Sequence, residues 1–508
     1  MTRPSGVRRA IVLSGFDLSE TAHPAPHGCE DCACSVSESL QPRTWPPPPD
    51  ATGVTHWVSG REVTKIHIGG DHYLLFNPVG SGGPVVVNEY GLGLFQRFRR
   101  PVTLTEARVA GPEYEPDAQY VFDRLSRLGF IHPVGQLQHP DFAEGKLLTA
   151  WLHVTNACNL RCPYCYVHKS AEKMDDSIGR ASVEAIVRSA VRHGFLAVKL
   201  KYAGGEASLN HKLLLDLHEH ARTLTARHGI SLYATLLSNG VKLSPALIDL
   251  LKSLDIRVMI SLDGIDRQHD LQRPFASGKP SFPFVERTIT RLIERGHPPH
   301  LSITITNRNF SGLADVVRFA LDRNLTFSLN FFRDNDCSAQ FPDLQYEEHA
   351  MIASLLEAFG VIEELLPPWS VLGSILDRGQ LLEPRQRSCG VGQDYVVIDQ
   401  RGRVAKCHME IERTLGDVFR DDPLQLVRKD LVLVQNPAVT EKEGCRDCTW
   451  RYWCSGGCAV TTFRATGRYD VKSPNCGIYK AIYPAALRLE GLRMLKYANV
   501  VGSVQHEA

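Results

Sequence analysis

Thr155 to Tyr166 reads TNACNLRCPYCY, which sets Cys158, Cys162 and Cys165 at C-x3-C-x2-C spacing with Tyr164 just before the last cysteine. Three thiolates from one short loop can hold three irons of a 4Fe–4S cube. No fourth cysteine follows at fixed spacing, so one iron is left for a ligand that is not protein. Buried thiols and part of a zinc site are the competing readings. Zinc favours paired C-x2-C halves closing in four-fold coordination, and a three-cysteine loop with an x3 gap fits it poorly.

Outward from this loop, residues from Leu147 to about Arg333 alternate between strand-like and helical patterns. Strands are predicted at Leu147–Thr155, Ala197–Ala203, Ser231–Ser238, Arg257–Asp263, His300–Asn307 and Thr326–Arg333. Between them Val183, Ile186, Val187, Ala190 and Val191 make one helical stripe, and Leu313, Val316, Val317, Ala320 and Leu321 another. Ser244-Pro245 opens a further helix with an N-cap and a first-turn proline. Six short βα units predict a parallel sheet curling toward a barrel, an α/β fold with functional residues at the C-terminal strand ends. The cysteine loop follows the first strand, where that rule puts it.

The loop resembles the signature of the radical S-adenosylmethionine (SAM) enzymes, and the second strand end, Tyr202-Ala-Gly-Gly-Glu206, resembles their GGE motif. The usual next residue is proline; here it is Ala207. The resemblance implies a partial (βα)6 barrel in which Tyr164, Gly204, Gly205 and Glu206 belong to the SAM site, with Glu206 receiving the methionine ammonium. It extends to Ser238 of Ser238-Asn239-Gly240, and to Ser261, Asp263 and Arg273 of the SLDG segment and its sequel. In relatives that modify peptides and proteins, the matching serine and arginine approach the methionine carboxylate. Thr304, Thr306 and Asn307 are weaker candidates for ribose or adenine contacts. The activity implied is reductive SAM cleavage to a 5′-deoxyadenosyl radical that abstracts hydrogen from substrate, with the cofactors carrying the chemistry.

Further on, Cys389, Cys407, Cys445, Cys448, Cys454, Cys458 and Cys476 follow C-x12-G-x4-C, gap, C-x2-C-x5-C-x3-C, gap, C. The pattern resembles the SPASM domain of radical SAM peptide and protein maturases, and zinc is the competing reading. Carried over residue by residue, Cys445, Cys448, Cys454 and Cys476 hold an outer auxiliary cluster, and Cys389, Cys407 and Cys458 an inner one, three 4Fe–4S clusters in all. Some relatives add a fourth inner cysteine a few residues after the first; Cys389-Gly-Val-Gly-Gln-Asp-Tyr has none. The inner cluster is therefore left with an open iron able to take a substrate thiolate, or with Cys337 or Asp394; Cys337 is equally readable as a plain buried thiol. Sulfatase-maturing relatives carry an aspartate after the counterpart of Cys407 as proton acceptor. Here His408 stands there, a candidate base or merely polar surface.

Residues 56–140 read as a small separate domain, with strands at Lys65–Ile68, Tyr73–Phe76 and Val85–Val87 and helices around Tyr90–Arg97 and Asp117–Leu128. It resembles the winged-helix peptide-recognition element fused to enzymes that modify ribosomal peptides, which implies leader binding by strand addition. A packing domain is the plain alternative, and DNA binding lacks a basic stripe. Residues 1–55 are predicted to be a disordered tail ending in the stiff run Trp45 to Pro49. Its CEDCAC segment, holding Cys29, Cys32 and Cys34, reads as an incidental cysteine-rich stretch. Residues 336–388 are predicted as linker helices, 389–480 as the auxiliary-cluster domain and 481–508 as a closing helix.

A formal net charge of +1 gives no sign of a nucleic-acid or acidic-membrane footprint. The apolar run Ala10 to Leu13 behind Arg3, Arg8 and Arg9 is too short for a signal peptide, and none approaches the roughly eighteen residues of a membrane span. A cytoplasmic chain is expected, and the clustering of its fourteen cysteines then argues for metal or iron–sulfur ligation rather than a disulfide framework. Together these readings predict a radical SAM maturase installing a thioether or carbon–carbon crosslink or an oxidation in a peptide or protein, fed electrons by a flavodoxin- or ferredoxin-type donor. Alternatives are formylglycine formation of the sulfatase-maturing type, a non-catalytic cluster-bearing peptide adaptor, and a DNA-binding sensor.

Overall fold

The structure, a computed structural model, describes residues 10–15, 55–108, 115–136, 138–142 and 145–504. The cysteines Cys29, Cys32 and Cys34 and the run from Trp45 to Pro49 lie outside them. The first strand among the described residues is β1 (Val12–Ser14), and the front region adds β2 (Trp57–Ser59), β3 (Thr64–Gly69), β4 (His72–Phe76), β5 (Pro84–Asn88) and β6 (Ile131–Pro133). A first sheet runs β1-β5-β4-β3, and β2 pairs with β6. Strand β1 corrects the expectation of a disordered tail over its whole length. Its Val12 and Ser14 are buried against β5.

The barrel strands are β7 (Leu147–His153), β8 (Ala197–Ala203), β9 (Ser231–Ser238), β10 (Ile256–Ser261), β11 (His300–Ile305) and β12 (Phe327–Phe331). All five adjacent pairs are parallel. Every residue of β7 and β8 is buried, as expected of strands covered on both faces. The crossover helices start where short polar side chains can cap them. Asp175 accepts from the Ile178 amide and Ser244 from the Leu247 amide, with Pro245 in the first turn.

The predicted boundary between barrel and cysteine-rich region is not a break in the sheet. Strand β13 (Tyr395–Ile398), all apolar and fully buried, pairs in parallel with β7, followed by β14 (Arg403–Ala405) and β15 (Thr414–Asp417). The result is one nine-stranded sheet, β12-β11-β10-β9-β8-β7-β13-β14-β15. β13 thereby covers an edge that β7 would otherwise present unpaired. Of the expected linker helices, the described structure has one α-helix, Glu348–Leu365, and the closing helix begins earlier than predicted, at Cys476, running to Val504.

The front region is also less separate than its sequence suggests. Alternation along its strands splits the sheet. Leu74, Phe76 and Val86 join the main core. Leu75, Val85 and Val87 face Trp57, Phe98 and Phe122 in a core of their own. Trp453 Nε1 donates to the Pro78 carbonyl at 2.9 Å, and Phe76 packs on Trp453 and Trp450. A Cβ on Gly491 would lie 3.0 Å from Ile68 and Leu74, so the closing helix sits hard against the same sheet.

Candidate active site

The cysteine loop leaves β7 and is fastened at both ends. Asn156 N donates to Glu172 O, Arg161 N to Pro274 O, and Ala276 N to Asn159 O, while Leu160 anchors it in the core. The three thiols lie within electrostatic reach of one another. Burial pushes Cys162 up to about 12 against the pull of Arg273, and raises Cys158 against that of Lys169. Lys169 Nζ is 2.8 Å from Cys165 Sγ, Asn239 Nδ2 is 3.8 Å from Cys158 Sγ, and the Leu160 amide is 3.4 Å from the same sulfur. Such donors suit thiolates carrying the negative charge of a cube. The donor set fits a three-cysteine cluster.

The glycines of the GGE segment serve the chain itself. A Cβ on Gly204 would fall 2.5 Å from Thr155 O, and one on Gly205 2.5 Å from both Asn156 O and Ala157 O. Gly205 N and Glu206 N donate to Thr155 O and Ala157 O, so the cysteine loop lying on them itself needs their lack of side chain. The buried Glu206 carboxylate accepts from Ser238 Oγ at 2.9 Å, Asn239 N at 2.6 Å and Ser208 N at 3.1 Å. It pins the second strand end to the third, and Ser238 is spent on that bond.

Tyr164, Asp263 and Arg273 form one buried group. The Tyr164 hydroxyl donates to Asp263 Oδ2 and accepts from Arg273, which is 3.5 Å from the same carboxylate oxygen. Burial pushes the Asp263 carboxyl up, with Arg273 opposing. Asp263 Oδ1 also accepts from Thr304 N at 2.9 Å, tying the fourth and fifth strand ends together. Of the three candidates on the fifth strand, Thr304 lines the central cavity. Thr306 is buried and accepts from Arg308 N, and Asn307 donates to Asp343 O, so neither is brought to the site.

The cavity, about 210 Å³, is lined by Gly205, Ser261 and Arg273 together with Arg333, Arg378 and His408. His408 is buried, not surface. It stacks on Trp151 at 4.5 Å and shares a 3.0 Å hydrogen bond with the Tyr395 hydroxyl. Burial, with Arg378 and Arg333 adding to it, holds the imidazole well below its usual range and hence neutral.

All eleven described cysteines are free thiols. Beyond the first loop all but Cys337 form two groups: Cys407 is in electrostatic reach of Cys458 and Cys389, and Cys445 of Cys454, Cys476 and Cys448. Burial pushes Cys407 up to about 12 and Cys445 up to about 11. Cys458 is different. Its burial is opposed by Arg333, Arg378 and hydrogen bonds from Thr461, which together bring it down to about 7. Lys442 feels Cys445 and Cys454 from one group and Cys389 and Cys458 from the other. Among the described residues no three His, Cys, Asp or Glu side chains converge as around a single ion; a cube takes one sulfur per iron and spaces its ligands more widely. Sequence reasoning missed Lys169, Arg333, Arg378 and Lys442. Only Arg333, at the end of the sixth strand, carried a positional signal.

Two candidates for a fourth inner ligand are not brought there. Cys337 Sγ lies 3.7 Å from Tyr166 O and 3.5 Å from His168, and the nearby thiol it feels is Cys165 of the first loop. Asp394 is buried beside Gly145, with Arg428 as its charged neighbour. Burial raises its carboxyl to about 7, above an unfolded value of about 3.9. A raised folded value means stability present below about pH 4 and lost as pH rises through about 7. Asp394→Asn should therefore raise the melting temperature by several degrees at about pH 8 and barely change it at about pH 4, as scanning calorimetry would register.

Residues 152–320 match the family model described as the radical SAM superfamily. Over 334 residues the chain is 24% identical to the antilisterial bacteriocin subtilosin biosynthesis protein AlbA of Bacillus subtilis, covering 61% of this chain and 67% of AlbA. Its fold is similar to that of native anSMEcpe with bound AdoMet and Cp18Cys peptide, at a TM-score of 0.56 and 19% identity, over 70% of this chain and 99% of that one. Streptococcus suis SuiB bound to precursor peptide SuiA is also similar, at 0.50 and 14% identity, over 83% and 99%. No helix among the described residues is long and apolar enough to cross a membrane. With the three-cysteine loop seated on the GGE turn at one end of a parallel sheet and the family model matching residues 152–320, this part of the chain is a radical SAM domain.

Proposed function

We propose that the chain is a peptide maturase in which a radical formed at the Cys158–Cys162–Cys165 loop installs a crosslink, thioether or carbon–carbon, or an oxidation in a ribosomally made peptide. When bound, the cluster and SAM supply a 5′-deoxyadenosyl radical that takes a hydrogen atom from substrate. Cys158, Cys162 and Cys165 would hold that cluster. Gly205, Ser261 and Arg273 would border SAM, with Arg273 offering its guanidinium to the methionine carboxylate. Cys389, Cys407 and Cys458 would hold an inner auxiliary cluster, and Cys445, Cys448, Cys454 and Cys476 an outer one. A flavodoxin- or ferredoxin-type protein would supply the electron.

The observation that carries this reading is one cavity lined both by the SAM-site residues and by the arginines that act on Cys458. A peptide lying in that cavity meets both the radical and the inner thiol group. AlbA, named for bacteriocin biosynthesis, and SuiB, bound to its precursor peptide, support a peptidyl substrate. The second reading is formylglycine formation, which the resemblance to sulfatase-maturing enzymes leaves open. Against it, His408 is enclosed between Trp151 and Tyr395 with two arginines near, a poor place for an imidazole to take and keep a proton. Anaerobically reconstituted protein given reductant and SAM should release 5′-deoxyadenosine, measured by chromatography. No release from fully loaded protein would refute the reading.

A further inference from the structure

Donors of two kinds reach the sulfurs of the cysteine loop. The Leu160 amide and Asn239 Nδ2 bring dipoles to Cys158, at 3.4 Å and 3.8 Å, whereas Lys169 Nζ, 2.8 Å from Cys165 Sγ, brings a full positive charge. Lys169 owes this place to the turn after Cys165. The Cys165 amide closes on Cys162 O at 3.1 Å, Val167 is buried, and Asn156 Nδ2 donates to Ser170 Oγ at 3.2 Å. The segment therefore folds back across the loop, with Lys169 four residues past the cysteine it meets. Glu172, the next carboxylate along the chain, is taken by Gln400 and Arg401. The ammonium is in electrostatic reach of all three thiols, Cys165 most strongly, then Cys158 and Cys162. Arg273 also acts on Cys162, but its guanidinium faces the Asp263 carboxylate at 3.5 Å, which offsets its charge.

We propose that Lys169 sets the reduction potential of the cluster held by Cys158, Cys162 and Cys165, its ammonium stabilising the reduced cluster more than the oxidised one. The proposal goes beyond the maturase reading and needs only that the loop holds its cluster. Potentials of iron–sulfur clusters follow net charge, hydrogen bonds to the sulfurs and solvent exposure. Reduction adds one electron, from the low-potential flavodoxin- or ferredoxin-type donor, to a group whose protein ligands are anionic thiolates. A fixed cation at hydrogen-bond distance from one of those ligands favours the more negative state. Lys169 acts through Cys165 and is in this sense a positioning residue for charge. A lysine that only held the return segment in place by its stem would need no charge at its tip.

Full-length wild type, Lys169→Met and Lys169→Arg are reconstituted anaerobically with iron and sulfide and titrated with reductant, the reduced cluster being read by electron paramagnetic resonance. The loop's cluster is the component missing from Cys158→Ala protein. Lys169→Met keeps an unbranched side chain without the charge. It should lower the reduced-to-oxidised ratio at a fixed potential about tenfold, a midpoint about 59 mV more negative for a one-electron couple. Lys169→Arg should stay near wild type, and so should Lys173→Met, which removes an exposed charge from the same segment. A Lys169→Met midpoint equal to wild type overturns the proposal, as does an equal fall in Lys169→Arg or Lys173→Met. If Lys169→Met does not take up the cluster, Lys169→Gln, which keeps a donor without the charge, is titrated in its place and the same outcomes decide. Wild type with no component that depends on Cys158 would refute the cluster assignment itself, a different failure.

Discussion

Cys158→Ala protein, reconstituted with iron and sulfide beside wild type, is expected to release 5′-deoxyadenosine only at background level. Cys158 is one of three thiols offered by a loop with no fourth, and its sulfur already collects donors from Leu160 N and Asn239. Removing it leaves two protein ligands where a cube needs three. The loop itself should survive, because its shape is set by backbone bonds to Glu172, Pro274, Thr155 and the GGE turn rather than by the thiol. Near-native circular dichroism with no product is the expected pair of results. Cys445→Ala, in the other group of thiols, should still cleave SAM without modifying substrate. Wild-type product from Cys158→Ala would refute the loop assignment.

Arg273→Ala should cost about 3–5 kcal/mol, the loss typical when one partner of a buried ion pair is removed and the other is left uncompensated. Arg273 and Asp263 are both buried, and the Tyr164 hydroxyl is shared between them. Truncating the arginine leaves the Asp263 carboxyl with Tyr164 and the Thr304 amide as partners. Denaturant unfolding should show the midpoint falling sharply, and SAM binding should weaken with it because Arg273 lines the cavity. Tyr164→Phe, which removes a hydroxyl but no charge, should cost about 1–3 kcal/mol. Equal midpoints for Arg273→Ala and wild type would show that the group does not hold the strand ends together.

Motif spacing and periodicity located most of this. The spacing of Cys158, Cys162 and Cys165, the glycines before Glu206 and the six alternating strands are local patterns, and each strand was found to within a few residues. The roles within the motifs were not local. Gly204 and Gly205 are needed by the cysteine loop lying on them, and Glu206 and Ser238 spend themselves on each other, because those contacts join segments far apart in sequence. Arg378 and Lys442 carry no motif at all. They reach the thiols through turns whose course depends on everything packed around them.

Ligand chemistry is written in the sequence because a cysteine keeps its donor wherever the chain takes it, and three in one short loop cannot be far apart. What surrounds a donor is a property of folding. Only the tertiary structure placed Cys337, one of several open candidates for the inner group, beside the first loop, enclosed His408 between Trp151 and Tyr395, and took Val12–Ser14 out of the tail to lie against β5. Each of those outcomes turns on contacts between residues distant in the chain, about which spacing carries no information.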